Sequence, residues 1–277
     1  MQLAGKSVFI TGGGGGIGEG MAQAFAEQGA KIILADINTD YAEAAAANLP
    51  AGTDVTVTAL DVTSLASWAA ARQLAEARHG LIDVLCNNAG ISTGFKPLVD
   101  VAPEEFSRVM AINVTGVYNG IVSFARAMGA RGSGHIVNTS SMNGLSPYGS
   151  FAVYSASKFA VLGLSDSLRQ ELAPLGVGVS TLFPGLTRSR MSEADAVGAD
   201  AAGAVTDPQR AAALRANMME PIWLGRAVVR AVEGNLPYIV THPEYKDFVA
   251  ARFNEILAAF GEPAQPGYKT GASATKP

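Results

Sequence analysis

The chain has 277 residues, enough for one large domain, and its 48% hydrophobic and 16% charged content supports a sizeable core. A net charge of −4 argues against nucleic acid as a principal partner, and no apolar run is long enough to span a bilayer. A single cysteine, Cys86, excludes an internal disulfide and fits a reducing compartment, the cytoplasm.

Lys6 to Ile10 is a short apolar run and reads as a buried strand. It starts almost at once after Met1, which is expected to leave no room for a signal peptide. Thr11-Gly12-Gly13-Gly14-Gly15-Gly16-Ile17-Gly18 follows, and then a helix with Met21, Ala22, Phe25 and Ala26 at helical spacing and Gly29 as its stop. Lys31 to Ala35 reads as a second strand. The glycines therefore join a strand to a helix inside a βαβ unit of about thirty residues, where a slack linker is out of place. A helix N-terminus offers free N–H groups and partial positive charge to a pyrophosphate, and glycine lets the backbone come close. The run fits GxGxxG through Gly13, Gly15 and Gly18, and equally TGxxxGIG through Gly12, Gly16 and Gly18. Glycine alone does not choose.

Asp36 ends the second strand, eighteen residues beyond Gly18, near the spacing expected for the acid that binds an adenosine ribose. A 2′-phosphate would meet like charge there. Ile37 and Asn38 follow, with no neighbouring arginine, and the glycine turn holds no basic residue, so NAD is expected over NADP.

Thr53 to Leu60 is a third strand, with Asp61 and Val62 after it and a helix from about Ser64 to Arg78. His79 then precedes Gly80, which suggests a cap at the helix dipole. Ile82 to Cys86 is a fourth strand ending in Asn87-Asn88-Ala89-Gly90, and it makes Cys86 a buried, inert thiol. A long helix begins near Pro103 with Glu104 and Glu105 in its first turn. His135 to Thr139 is a fifth strand, about Ser150 to Pro174 a helix, and Val177 to Phe183 a sixth strand. No clear element occupies Pro184 to Thr206. A helix near Glu220 to Gly234, a strand at Tyr238 to Thr241 and a helix over Pro243 to Phe260 complete the pattern. The three histidines, His79, His135 and His242, show no metal-ligand spacing, and no metal is expected.

The alternation predicts an α/β, single-domain, Rossmann-like doubly wound sheet of about seven parallel strands with helices on both faces. The domain is expected over residues 1–262, with a substrate lid at about 186–223 and a flexible tail at 263–277 rich in Gly, Pro and polar residues. Ligands in such sheets bind beyond the carboxyl ends of the strands, where the notable residues cluster.

Tyr154-Ser155-Ala156-Ser157-Lys158 lies on a helix, so the phenol and the ammonium share a face. For the phenol to act near neutrality its pKa must fall from about 10 to near 7, about 4 kcal/mol. A cation about 4 Å away at an effective dielectric of about 20 supplies roughly that much.

Thr11-Gly12-xxx-Gly16-Ile17-Gly18, Asn87-Asn88-Ala89-Gly90, Ser141, Tyr154-xxx-Lys158 and Pro184-Gly185 occur in the order seen in the short-chain dehydrogenase/reductase family, and about Lys6 to Thr241 resembles it. The resemblance favours Gly12, Gly16 and Gly18 as the working glycines. It implies a nicotinamide-dependent enzyme, usually a homotetramer or homodimer, that moves a hydride between cofactor and a secondary alcohol or ketone. It implies Tyr154 as general acid/base and Lys158 as the residue that lowers its pKa and holds the ribose. Ser141 would hold the substrate oxygen, and Asn113 a water linking Lys158 to solvent. Asp61 and Val62 would flank the adenine; Asn87, Ala89 and Gly90 would line the cofactor. After Pro184-Gly185 the family usually has PGxVxT. Here Thr187 takes the apolar position and Ser189 the threonine position, so either hydroxyl could hold the carboxamide.

Met191, Met218, Met219 and Trp223 in the lid, with Met142, Asn143, Tyr148, Phe151 and Phe95 opposite, suggest a bulky apolar substrate. Asn113 to Met128, Met219 to Asn235 and Tyr238 to Tyr245 are similar to bacterial short-chain dehydrogenases acting on the benzylic alcohol of lignin-derived aryl ethers. Steroid-type or 3-oxoacyl ketone reduction and a non-catalytic NAD sensor are the alternatives. A sugar-nucleotide epimerase would need a larger C-terminal domain.

Overall fold

The computed structural model describes residues 1–192 and 216–261. Two compact units are present, Met1–His242 and Pro243–Pro277, so the last helix falls in a unit of its own. The proposed tail lies outside the described residues, as does the middle of the expected lid.

The first unit is built on a seven-stranded sheet of order β3-β2-β1-β4-β5-β6-β7, every pair parallel. The strands are β1 (Ser7–Thr11), β2 (Lys31–Asp36), β3 (Val55–Ala59), β4 (Val84–Asn87), β5 (Gly134–Thr139), β6 (Val177–Phe183) and β7 (Tyr238–Val240). The helices in chain order are α1 (Ile17–Glu27), α2 (Thr39–Ala47), α3 (Leu65–His79), α4 (Pro103–Met110), α5 (Gly116–Arg131), α6 (Ala152–Leu172) and α7 (Pro221–Gly234). In the second unit Pro243–Tyr245 forms a short turn of 3-10 helix and α8 spans Lys246–Ala258. Strand order reverses between β1 and β4, and that reversal opens a crevice beyond their carboxyl ends.

Parallel strands covered on both faces read as continuous apolar runs, and β1 is buried throughout. Its alternation feeds two cores. Val8 and Ile10 pack with Met21, Phe25 and Val228 under α1 and α7. Phe9 faces the other way, into Trp68 of α3 and Phe124 of α5, with ring centroids 5.8 and 5.4 Å away. Close approach of α1 and α7 requires small residues at the crossing: a Cβ on Gly225 would strike the carbonyl of Gly20.

Periodicity alone does not anticipate α2. Its only buried residues are Ala42 and Ala45, too small to stand out, and its start is set by Asn38, whose side chain accepts from the Asp40 and Tyr41 amides. The long helix from Pro103 is broken by one turn of π-helix, Ala111–Thr115, between α4 and α5. His79 is the last residue of α3, with Gly80 as the C-cap. Its ring is buried, bonds Thr56 Oγ1 at 2.7 Å and lies 3.5 Å from Asp54, and burial lowers its pKa.

His135, on the interior strand β5, is 2% exposed, with Nε2 2.8 Å from Ser180 Oγ. Burial, with a smaller effect from Arg169, depresses its pKa from 6.5 to about 4. The unfolded chain therefore binds the proton first. This histidine's contribution to stability is complete above pH 6.5 and is lost as pH falls from 6.5 to about 4, a loss of about 3 kcal/mol. Urea unfolding should show that decline in the wild type and a flatter one in His135→Gln. Parallel profiles would mean that other groups carry the acid sensitivity.

Candidate active site

Each of the three working glycines has its own reason to be glycine. Gly12 and Gly16 hold φ of +63° and +53°, a left-handed backbone that side chains disfavour. A Cβ on Gly12 would also lie 2.9 Å from Ala89 Cα, and one on Gly18 would run into the carbonyl oxygen of Gly12. Gly13 and Gly15 have no positive φ, though a Cβ on either would press on Leu34 or Arg190. Ile17 opens α1 directly after the turn.

Thr11 binds the turn to the end of β4. Its Oγ1 accepts from the Asn88 and Ala89 amides at 2.9 and 3.0 Å. Asn88 replies with Nδ2 to the Thr11 carbonyl at 3.0 Å. Asn87, buried, donates to Asn138 Oδ1 at 2.9 Å. The sequence reading passed over Asn88, although it lies inside the quoted motif.

Beside the turn, Asp36 accepts from the Gly14 amide at 2.9 Å and the Asn38 amide at 3.0 Å. Ile37 projects outward, 77% exposed. Asp61 is occupied by Thr63, through both its amide and its hydroxyl. Val62 is buried against Gly116, and its carbonyl accepts from Trp68 Nε1 and Asn119 Nδ2.

The second cluster centres on α6. Asn113, fully buried in the π turn, accepts from the Ile91 amide at 2.8 Å. Its amide nitrogen donates to the Ile91 carbonyl and to Ser157 Oγ, at 2.9 and 3.0 Å. Ser157 in turn donates to the Tyr154 carbonyl at 2.7 Å, so the π turn is pinned to α6. Lys158 is 3% exposed and donates to the Thr139 carbonyl at 3.0 Å, with Nζ 5.4 Å from the Tyr154 ring centre. Burial lowers its pKa to about 8. A Cβ on Gly90 would be 3.3 Å from both Asn113 Oδ1 and Lys158 Nζ, so the two groups converge over this glycine.

Ser141 follows β5, and its Oγ accepts from the Asn143 amide at 3.1 Å. Asn143 Oδ1 accepts from the Tyr148 amide at 3.2 Å. Ser140, next to Ser141, donates to the Lys158 carbonyl at 2.8 Å, and the Met142 amide reaches the Pro184 carbonyl at 2.9 Å. The ends of β5, β6 and α6 are thereby held together.

Aromatic rings extend away from Tyr154. Phe151 lies 6.2 Å from it, Phe95 4.2 Å from Phe151, and Tyr148 6.2 Å from Phe95. The Lys96 amide donates to the Ser150 carbonyl at 3.1 Å and joins the Phe95 loop to this wall.

After β6 the chain forms a strap. His242 brackets its start: Nδ1 accepts from the Gly185 amide at 3.0 Å, while Nε2 lies 3.2 Å from the Leu186 carbonyl. Those bonds require a neutral ring with its proton on Nε2. Thr187 is buried, with its hydroxyl 3.2 Å from the Gly185 carbonyl, and it bridges to Met219. Ser189 sits over Gly16 and bonds Ser192. Met191 is half-buried; Met218 is buried, its sulfur 3.7 Å from Ser192 Oγ. Trp223 is 57% exposed and stacks under Arg226, which pairs with Glu27 of α1. Residues 193–215 of the expected lid lie outside the described residues.

Among the described residues, no helix is long and apolar enough to cross a membrane, and no group of three His, Cys, Asp or Glu side chains is placed to hold a metal.

Residues 6–198 match the short chain dehydrogenase family, and the chain belongs to it. It is an NAD(P)-dependent oxidoreductase of the alcohol/ketone type. It is 33% identical over 258 residues to the C alpha-dehydrogenase of Sphingobium sp. strain SYK-6, across 90% of this chain and 84% of that protein. The apo structure of LigO from the same strain is similar at a TM-score of 0.81 and 34% identity, covering 94% of this chain and 90% of that one. A short chain dehydrogenase/reductase from Burkholderia phymatum, in complex with NAD, gives a TM-score of 0.83 at 29% identity, covering 96% and 99%.

Proposed function

We propose that this enzyme uses NAD in preference to NADP and acts on a bulky, aryl-bearing secondary alcohol or its ketone. The observation that carries the substrate reading is the aromatic wall of Phe95, Tyr148 and Phe151, which leads to Tyr154. The similarity to a C alpha-dehydrogenase is consistent with a benzylic alcohol of an aryl ether.

The residues present fit a dinucleotide. The glycine turn opens α1, an eleven-residue helix whose N-terminal amides and dipole suit a pyrophosphate. Asp36, already holding the Gly14 amide, is beside the turn to accept from ribose hydroxyls. Thr187 or Ser189 on the strap serves the carboxamide end, with Asp61 and Val62 flanking the adenine and Asn87, Ala89 and Gly90 lining the cofactor. Like-charge repulsion at Asp36 supports NAD.

In this reading the cofactor, when bound, supplies the hydride acceptor or donor. Tyr154 takes the proton of the alcohol in oxidation and returns it in reduction. Ser141 Oγ donates to the substrate oxygen and holds it as charge develops. Lys158 lowers the phenol's pKa. Asn113 keeps the π turn on α6 through Ser157, and so keeps Lys158 in place. Exposed Phe106, Tyr118 and Val122 on α4 and α5 support a homodimer or homotetramer. The single buried Cys86 suits a reducing cytoplasm.

The test is turnover with NAD⁺ or NADP⁺ on matched aryl, steroid and aliphatic secondary alcohols, followed by the near-ultraviolet rise of reduced nicotinamide. Preference for NAD⁺ and the aryl substrates is expected. Strong turnover confined to small aliphatic alcohols sinks the aryl reading, and equal affinity for both cofactors sinks the NAD preference.

A further inference from the structure

We propose that Arg190 is a phosphate-binding residue of the cofactor site, delivered to the glycine turn by the strap after β6. The inference rests on the dinucleotide reading above. Nothing near Arg190 in sequence points to it, since its contacts are with residues about 150 to 176 positions earlier. Its Nη2 donates to the Gly14 carbonyl at 2.9 Å, and its guanidinium lies 4.0 Å from the centre of the Tyr41 ring. A Cβ on Gly15 would fall 2.6 Å from Nη1, so the fork fills the space directly outside the turn. The absence of a side chain at Gly15 is what leaves room for it.

The strap separates its two arginines. Arg188 turns outward to pair with Glu220 at 2.9 Å. Ser189 packs on Gly16, and Arg190, itself exposed, lies over the glycine turn. Among the described residues no carboxylate forms an ion pair with Arg190. Asp36 is close in the network, accepting from the Gly14 and Asn38 amides, and forms no ion pair with Arg190. A permanently charged planar fork is thus held by a neutral carbonyl and an aromatic face, beside the N-terminus of α1. Both partners orient the fork, and neither neutralises it. A pyrophosphate oxygen at the turn does, through a charge-assisted and potentially bidentate bond. Arg190 then ties the strap to the cofactor's phosphates.

The test is calorimetric titration of the full chain with NAD⁺, NADP⁺, ADP-ribose and adenosine, for wild type, Arg190→Gln and Arg190→Lys. Loss of one charge-assisted contact should weaken NAD⁺ and ADP-ribose by roughly ten- to a hundredfold in Arg190→Gln. Adenosine binding and the melting temperature of the free protein should not change. Arg190→Lys, which keeps the charge without the fork, should fall between. The difference between wild type and Arg190→Gln should shrink as salt is raised. Equal weakening of adenosine would make Arg190 a structural tie and overturn the proposal. Unchanged affinities in the variant would do the same, as would a loss confined to NADP⁺, which would assign Arg190 to the 2′-phosphate. Failure of the wild type to bind either NAD⁺ or ADP-ribose would overturn the dinucleotide reading itself.

Discussion

Tyr154→Phe is expected to lower kcat roughly a thousandfold while leaving NAD⁺ affinity within a few-fold of wild type. The change removes one oxygen. The ring keeps its edge contact with Phe151 and its place near Lys158, so the aromatic wall and the fold should survive. What disappears is the proton acceptor, and positioned acid/base groups contribute roughly 10²–10⁴ in rate. The loss should therefore be in kcat, with KM for the alcohol little changed. Ser141, held by Asn143, can still orient the substrate oxygen but has no base beside it. Near-normal turnover in the variant, with cofactor binding intact, would remove Tyr154 from the reaction.

Lys158→Met is expected to cost a similar factor in turnover and, unlike most active-site changes, to stabilise the free protein near pH 7. The ammonium is 3% exposed, and burial pulls its pKa from 10.5 to about 8. The unfolded chain holds the proton more tightly than the folded one. Stability therefore rises with pH between about 8 and 10.5, and below 8 the fold carries the full cost of a buried charge, about 3 kcal/mol. Methionine removes that cost but leaves the Thr139 carbonyl without its donor, which costs roughly 1–2 kcal/mol. The net gain is about 1–2 kcal/mol, or roughly 5 °C in melting temperature. Melting curves of both proteins at pH 7 and pH 10 check it, and the gap should close at the higher pH. A variant that melts lower at pH 7 would mean that the Thr139 bond outweighs the burial cost. The expected gain would fit a lysine kept for the proposed chemistry rather than for the fold.

Much of this was legible because parallel strands covered on both faces leave short apolar runs that alternation cannot disguise. Lys6 to Ile10 and Val177 to Phe183 are such runs. Spacing on a helix was equally plain for Tyr154 and Lys158. What failed had physical causes. Helix α2 buries only two alanines, so it carries no large periodic residue to announce it. The glycine register was hidden because five identical residues differ only in backbone angle and in what a Cβ would strike, and both are tertiary facts. The helix end at His79 was visible, but the burial of its ring against β3 was not. Asp36 was judged to lack a basic neighbour from the residues adjacent to it in sequence. Arg190 stands one peptide away from it in space. Long-range arrivals of this kind leave no local periodicity.

The His242 contacts with Gly185 and Leu186 divide the site between distant stretches of the chain. The glycine turn, Asn113, Ser141, Tyr154 and Lys158 all belong to the part of the chain that precedes β6, and their mutual bonds need nothing later. The strap does. It is encoded before α7 and β7, yet the side chain that brackets it emerges some fifty-seven residues after Gly185. In chain order, the residues proposed for proton transfer therefore all precede the side chain that clasps the strap. The chain reaches that clasp only through β7, the shortest strand at the edge of the sheet, so the two proposed halves of the site are anchored by different stretches of sequence.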